Sequence, residues 1–262
     1  MRLWGVLVVV AAVTFVLLPF QWIAIKFGLA WQRHIPQVYH RIVCALIGVK
    51  INVVGKRSAD FPLMIVSNHV SWLDISVITA SAPVVFVAKQ EVAGWPIVGL
   101  LAKLQRTVFV NRNQRQKTGD VNAEIARRLA SGDPVVLFGE GTSSDGNRVL
   151  EFRSALIGAS REAVAQAEAV NCVWIQPLSI AYTGLLGLPL GRQHRPLIAW
   201  YGDFDLAPHL AGVLRRGSID VTLTWGLPIP VDESLDRKAV TRTLENEVRR
   251  MTSLALRGRP AA

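Results

Sequence analysis

Residues 3–25 contain no charged side chain, and that run is the first limit on what the chain can fold into. Thr14, Pro19 and Gln21 interrupt its apolar character. As a helix, 23 residues rise about 34 Å, enough for a hydrocarbon core of about 30 Å. Pro19 and Gln21 leave residues 3–18 as its strongest part. A signal peptide with Arg2 as its charged start is the alternative, but no small-x-small cleavage site follows. We therefore read residues 1–34 as an N-terminal membrane anchor, a membrane helix. Lys26, Arg33 and Arg41 after the run outnumber Arg2 before it. That bias places the body, residues 35–262, on the cytoplasmic side of the inner membrane.

Behind the anchor, strand patterns at 50–54, 63–67, 84–88, 107–110, 134–138, 172–181, 197–201 and 219–225 alternate with helix patterns at 73–80, 92–104, 118–130, 153–167 and 237–256. A further helical stretch, 37–47, suits the membrane surface. The alternation predicts an α/β domain, a mixed sheet flanked by helices. Trp95-Pro96 begins or kinks the second of these helices, and Pro177 marks an edge or a bulge in its strand. Hydrophobic residues make up 51% of the chain and the net charge is +10, so membrane and anionic partners are expected. The basic residues are dispersed and no nucleic-acid-binding signature occurs, so no nucleic acid is expected. Cys44 and Cys172 read as reduced, buried thiols. Histidine and cysteine show no ligand spacing, so no metal and no bound cofactor is implied.

The chemistry concentrates in Asn68-His69-Val70-Ser71-Trp72-Leu73-Asp74, which follows the apolar run 63–66. A histidine at a strand end with a carboxylate five residues later supplies a general base and a group to orient it. On a regular helix, positions i and i+5 lie roughly 140° apart. The side chains therefore meet only if His69 sits in a loop and Asp74 falls in the first turn of the next helix, where the helix dipole favours it. Roughly 0.2 such pairs arise by chance in this composition, so the pair alone is equally a capping aspartate beside a loop histidine.

Three other segments carry chemical content. Arg112 ends the apolar strand 107–110 and suits a phosphate or carboxylate. The stretch Phe138-Gly139-Glu140-Gly141-Thr142-Ser143 follows a strand and is rich in glycine and hydroxyls, which lets amides approach an anion or a developing oxyanion. Pro177 lies in the strand 172–181.

Together the four blocks resemble the glycerolipid acyltransferase family over about residues 35–230. The matching features are His-x₄-Asp at His69 and Asp74, a strand ending in Arg112, Phe-x-Glu-Gly-Thr at 138–142, and a proline block at Pro177. The family's usual third block is Phe-Pro-Glu-Gly-Thr-Arg; here Gly139 replaces the proline and Ser143 the arginine. Residues 146–148, 191–196 and 200–203 also look like the bacterial branch that includes lyso-ornithine lipid acyltransferases.

The resemblance implies transfer of a fatty acyl group from an acyl carrier protein or coenzyme A thioester to the free hydroxyl of a membrane lysolipid. His69 would be the general base, with Asp74 holding its tautomer. Amides around 139–142 would stabilise the oxyanion, with Arg112, Glu140, Gly141 and Thr142 in the substrate site. The first acceptor reading is 1-acylglycerol-3-phosphate, favoured by Arg112 and by how common that activity is in the family. The alternative is lyso-ornithine lipid, favoured by the missing arginine at Ser143. Outside both stands a non-catalytic, membrane-tethered binding protein.

Overall fold

Strand β2 (Leu63–Ser67) is buried at every position, because both faces of the sheet around it are covered. Leu63 and Ile65 enter one apolar cluster, Met64 and Val66 another, as the period-2 alternation of a strand requires. The structure is a computed structural model and describes residues 2–110, 118–154, 172–232 and 236–259. Among these residues the sheet also contains β1 (Val49–Val54), β3 (Val85–Lys89), β4 (Val108–Val110), β5 (Val135–Phe138), β6 (Val173–Leu185), β7 (Leu188–Pro189), β8 (Ile219–Trp225) and β9 (Ile229–Val231). Their order is β1-β8-β6-β2-β5-β3-β4, with β7 and β9 also paired to β6. Neighbours from β6 to β4 are parallel, whereas β8 runs antiparallel to β6 and carries β1 parallel to itself. The sheet is mixed, as the sequence pattern predicts.

One face packs on α2 (His34–Ile47), α3 (Leu73–Ser81) and α6 (Leu206–Arg216). The other packs on α5 (Thr118–Ala130) and α7 (Arg237–Leu256). Between β3 and β4 runs α4 (Pro96–Leu104). His40 on α2 bridges Ser76 Oγ on α3 and Gln105 Oε1 just past α4, each at 3.1 Å, and Gln105 Nε2 donates to Thr79 Oγ1 at 2.7 Å. Burial pushes the His40 pKa down to about 4. The ring is neutral, so one nitrogen accepts and the other donates, and the network locks α3 in place.

Several expected elements take another form. Residues 197–201 do not join the sheet. They follow a 3₁₀ turn at Arg195–Leu197, and the Trp200 amide donates to the Val70 carbonyl at 2.9 Å. Ile198 and Ala199 are instead buried in the apolar cluster that also holds Val70, and a short apolar run cannot tell these fates apart. Helix α6 has no counterpart among the sequence patterns. The stretch 92–104 splits into a 3₁₀ turn (Gln90–Gly94) and α4, which begins at Pro96, where a missing N–H costs nothing. Beyond Ser154, the helix expected at 153–167 lies outside the described residues. Pro177 lies in the interior strand β6, at the point where its partner changes from β9 to β8. Its carbonyl accepts from the Gly226 amide at 2.9 Å, and its missing donor faces the gap in the ladder.

Helix α1 (Arg2–Lys26) lies along this body. Residues 3, 6, 7, 10, 13, 14, 17, 18, 21, 24 and 25 form a buried or half-buried stripe at helical spacing. Arg2 donates to the carbonyls of Ile47 and Leu214, satisfying the open C-terminal ends of α2 and α6. At the other end, Gln21 Nε2 donates to the carbonyls of Gln32 at 3.0 Å and Leu104 at 2.7 Å. The opposite face exposes Trp4, Val8, Val9, Phe15, Val16, Phe20, Trp22 and Ile23. Among the described residues α1 is the helix long and apolar enough to cross a membrane, and it gives the chain a membrane-associating surface. The boundary at 34/35 marks a change of sequence character rather than a break in packing.

Candidate active site

β2 and β6 pair in parallel as far as Ser67 and Leu178. One residue on, the Asn68 side chain takes over the ladder, its Oδ1 accepting from the Ile180 amide and its Nδ2 donating to the Ile180 carbonyl, both at 2.9 Å. The main chain is thereby free to turn at His69, at the carboxyl ends of the parallel strands, where open α/β sheets bind ligands. Asp74 follows in the first turn of α3. His69 Nδ1 lies 2.8 Å from Asp74 Oδ2, so the five-residue spacing adopts the loop-and-first-turn geometry it demands.

Asp74 is fully buried. Its Oδ2 also accepts from the amides of Val70 at 2.7 Å and Ser71 at 3.0 Å, and its Oδ1 from the Tyr182 hydroxyl at 2.7 Å. With the carboxylate accepting on every side, Nδ1 of His69 carries the proton toward it and Nε2 is left unprotonated. The imidazole stacks on Phe138, centroids 3.9 Å apart and planes 16° from parallel, and the side chain stays 19% exposed. Burial, then the neighbouring Asp74, pushes the Tyr182 pKa well up, which keeps its hydroxyl a donor. Asn68, Phe138 and Tyr182 carry no local signal for these roles, because the partner of each is remote in sequence.

The loop after β5 wraps the same histidine. Gly141 takes φ +68°, a conformation that favours glycine. Glu140 beside it turns inward, where its Oε1 accepts from the His69 amide at 3.4 Å. Ser144 donates to the His69 carbonyl through its amide at 2.8 Å and its hydroxyl at 3.2 Å. Ser143 Oγ donates to the Trp200 carbonyl at 2.5 Å, and Thr142 is exposed at the rim. Two amides expected at the oxyanion are already engaged: Gly139 donates to the Ser67 carbonyl at 2.9 Å and Gly141 to the Phe138 carbonyl at 3.1 Å. Arg112 lies outside the described residues.

Glu140 is only 2% exposed. Burial pushes its pKa up to about 8, against the opposing pull of the His69 and Leu150 amides. Between the ordinary carboxylate range and that value, the folded protein holds a proton that the unfolded chain has lost. Stability conferred by the protonated group is therefore present at low pH and declines as pH rises toward 8, by up to about 1.4 kcal/mol per pH unit. Glu140→Gln should flatten this slope. Thermal midpoints of both proteins measured between pH 5 and 8.5 check it, and parallel pH dependences would refute the assignment.

A strand-end histidine oriented by a buried aspartate, with a glycine loop closed over it, is an arrangement suited to taking a proton from a hydroxyl. A family model described as Acyltransferase matches residues 50–181. The chain is 48% identical to the lyso-ornithine lipid O-acyltransferase of Brucella abortus over 98% of its length and 96% of the relative's. To the enzyme of the same name from Rhizobium meliloti it is 47% identical, over 94% of this chain and 84% of the other. The crystal structure of the 1-acyl-sn-glycerophosphate acyltransferase of Thermotoga maritima has the same fold, with TM-score 0.62 at 20% identity over both whole chains. The chain belongs to the glycerolipid acyltransferase family and is an acyltransferase, which sets aside the non-catalytic reading.

Proposed function

We propose that this enzyme transfers a fatty acyl group from a thioester, on acyl carrier protein or coenzyme A, to the hydroxyl of lyso-ornithine lipid. The observation that carries this reading is the near-full-length similarity at 48% and 47% to two proteins of that name. Ser143 supports it: where the wider family carries an arginine, a short hydroxyl is tied to the Trp200 carbonyl and offers no fork for a phosphate. Lyso-ornithine lipid therefore displaces 1-acylglycerol-3-phosphate as the first reading, since the frequency of an activity in a family does not bear on this chain's own residues.

In the reaction, His69 Nε2 takes the hydroxyl proton as the oxygen attacks the thioester carbonyl. Asp74 steadies the imidazolium that forms. The tetrahedral intermediate collapses by breaking the C–S bond, and the leaving thiolate recovers the proton from His69. With Gly139 and Gly141 engaged elsewhere, the oxyanion role falls to the amides of Glu140, Thr142 and Ser143. Glu140 and Thr142 border the acceptor, and the exposed face of α1 lies in the inner membrane with the catalytic body toward the cytoplasm.

The test is an assay of membranes containing the protein with both lysolipids, each with labelled acyl carrier protein and coenzyme A thioesters. Ornithine lipid should form at least tenfold more efficiently than phosphatidic acid; the reverse order overturns the acceptor reading. The protein should remain in the membrane pellet through carbonate and high salt, and intact release would refute the embedded helix.

A further inference from the structure

Beside the catalytic loop lies a charged cluster that the acyl-transfer step does not use. Ser144 is bonded to the His69 carbonyl, and Asp145 is the next residue, about 3.8 Å further along the chain. At Gly146 (φ +75°) a Cβ would meet Val70 Cγ1 at 3.1 Å and Arg195 Cβ at 3.7 Å, so this turn is pressed between the catalytic loop and Arg195. Asn147 donates to Asp145 twice, from its amide to Oδ1 at 2.9 Å and from Nδ2 to Oδ2 at 3.1 Å. Its own Oδ1 accepts from Arg195 Nη1 at 3.0 Å.

Asn147 thus stands as a spacer between an acid and a base. Among the described residues no ion pair joins Asp145 to an arginine, and the buried Nε of Arg195 has no partner. Burial raises the Asp145 pKa, but the two Asn147 donors and the charges of Arg148 and Arg192 outweigh it and hold the group below its usual range. Opposite charges are kept apart, oriented and half-exposed on a turn that packs against the His69 loop.

We infer that Asp145, Asn147 and Arg195 form the recognition site for the acceptor's zwitterionic headgroup, with Arg195 and Arg192 taking its carboxylate and Asp145 its ammonium. The inference rests on the acceptor reading above. A lyso-ornithine lipid carries its carboxylate about 6 Å from the carbon bearing the reacting hydroxyl, with an ammonium at the end of the ornithine side chain. Guanidinium groups match a carboxylate through paired, charge-assisted bonds. A phosphate monoester has no cation for Asp145 and is repelled by it, so the same site discriminates between the two lysolipids.

The test pairs variants with altered acceptors: lyso-ornithine lipid, its carboxyl methyl ester and its side-chain N-acetyl derivative. With the unaltered enzyme each derivative should show a KM roughly tenfold to a hundredfold higher. Asp145→Asn should raise KM for the parent lipid by a similar factor, leave it unchanged for the N-acetyl derivative, and improve relative use of 1-acylglycerol-3-phosphate. Arg195→Gln should raise it for the parent and leave the methyl ester largely unaffected. A variant that keeps the thermal midpoint of the unaltered enzyme yet loses all three acceptors equally overturns the site. Equal KM values for the three acceptors with the unaltered enzyme overturn it independently of any variant. Turnover of 1-acylglycerol-3-phosphate alone sinks the acceptor reading and this site with it, whereas turnover of lyso-ornithine lipid with a flat derivative series sinks the site only.

Discussion

Replacing His69 with alanine should lower kcat by about 10²–10⁴-fold, the range typical of a lost general base, while the protein still folds and enters membranes. The fold should survive because the ring is not a core side chain: it is partly exposed and stacks on Phe138. The backbone contacts of residue 69 with Glu140 and Ser144 remain in the variant. Asp74 retains Val70, Ser71 and Tyr182 as donors, so no buried carboxylate is stranded without a partner. The measurement is single-turnover acyl transfer with labelled thioester, beside a thermal midpoint in detergent. Activity within a few-fold of the unaltered enzyme would remove His69 from the mechanism.

Gly139→Pro, which restores the residue usual in the family, should destabilise this protein by several kcal/mol. Two separate terms contribute. Any Cβ at position 139 would lie 2.6 Å from Cδ2 of the buried Phe152 ring and 2.7 Å from its Cγ. Overpacking of that kind costs about 1–3 kcal/mol. Proline also deletes the amide that donates to the Ser67 carbonyl, leaving a buried acceptor unpaired at a cost of about 1–3 kcal/mol. Gly139→Ala isolates the first term, and Phe152→Leu in that background should recover part of it, as expected of residues in contact. Chemical or thermal unfolding of the four proteins decides the matter. A proline variant within 1 kcal/mol of the original would mean that the ring and loop move aside freely. The departure of Gly139 from the family pattern is thus accounted for by Phe152.

Much of the architecture is legible in the sequence, since it depends on residues close together along the chain. The stretches 63–67, 118–130, 219–225 and 237–256 coincide with β2, α5, β8 and α7, the first as a continuous apolar run and the others as period-2 or 3.6-period patterns. Where a run is short or punctuated, the pattern misleads. Residues 197–201 are apolar enough for a strand but lie against the loop that carries His69 and Val70. Helix α6 is hidden by Pro208 in its first turn and Gly212 within it, both of which lower intrinsic helix propensity. Its formation depends on packing, with Val213 and Leu214 buried in the same cluster as α2 and α3.

What the sequence by itself determined is the set of local constraints. These are an uncharged stretch that needs an apolar surface, an alternation that needs a covered sheet, and a His69–Asp74 spacing that works only across a loop and a first helical turn. Tertiary structure alone decided what those groups meet. It set Tyr182 on Asp74 across 108 residues, tied Asn68 to Ile180 and closed Ser144 over His69. Phe152 came to lie against Gly139. It also raised the pKa of Glu140, because the cost of charging a carboxyl depends on the water removed around it, and that quantity is a property of the packed volume rather than of adjacent residues.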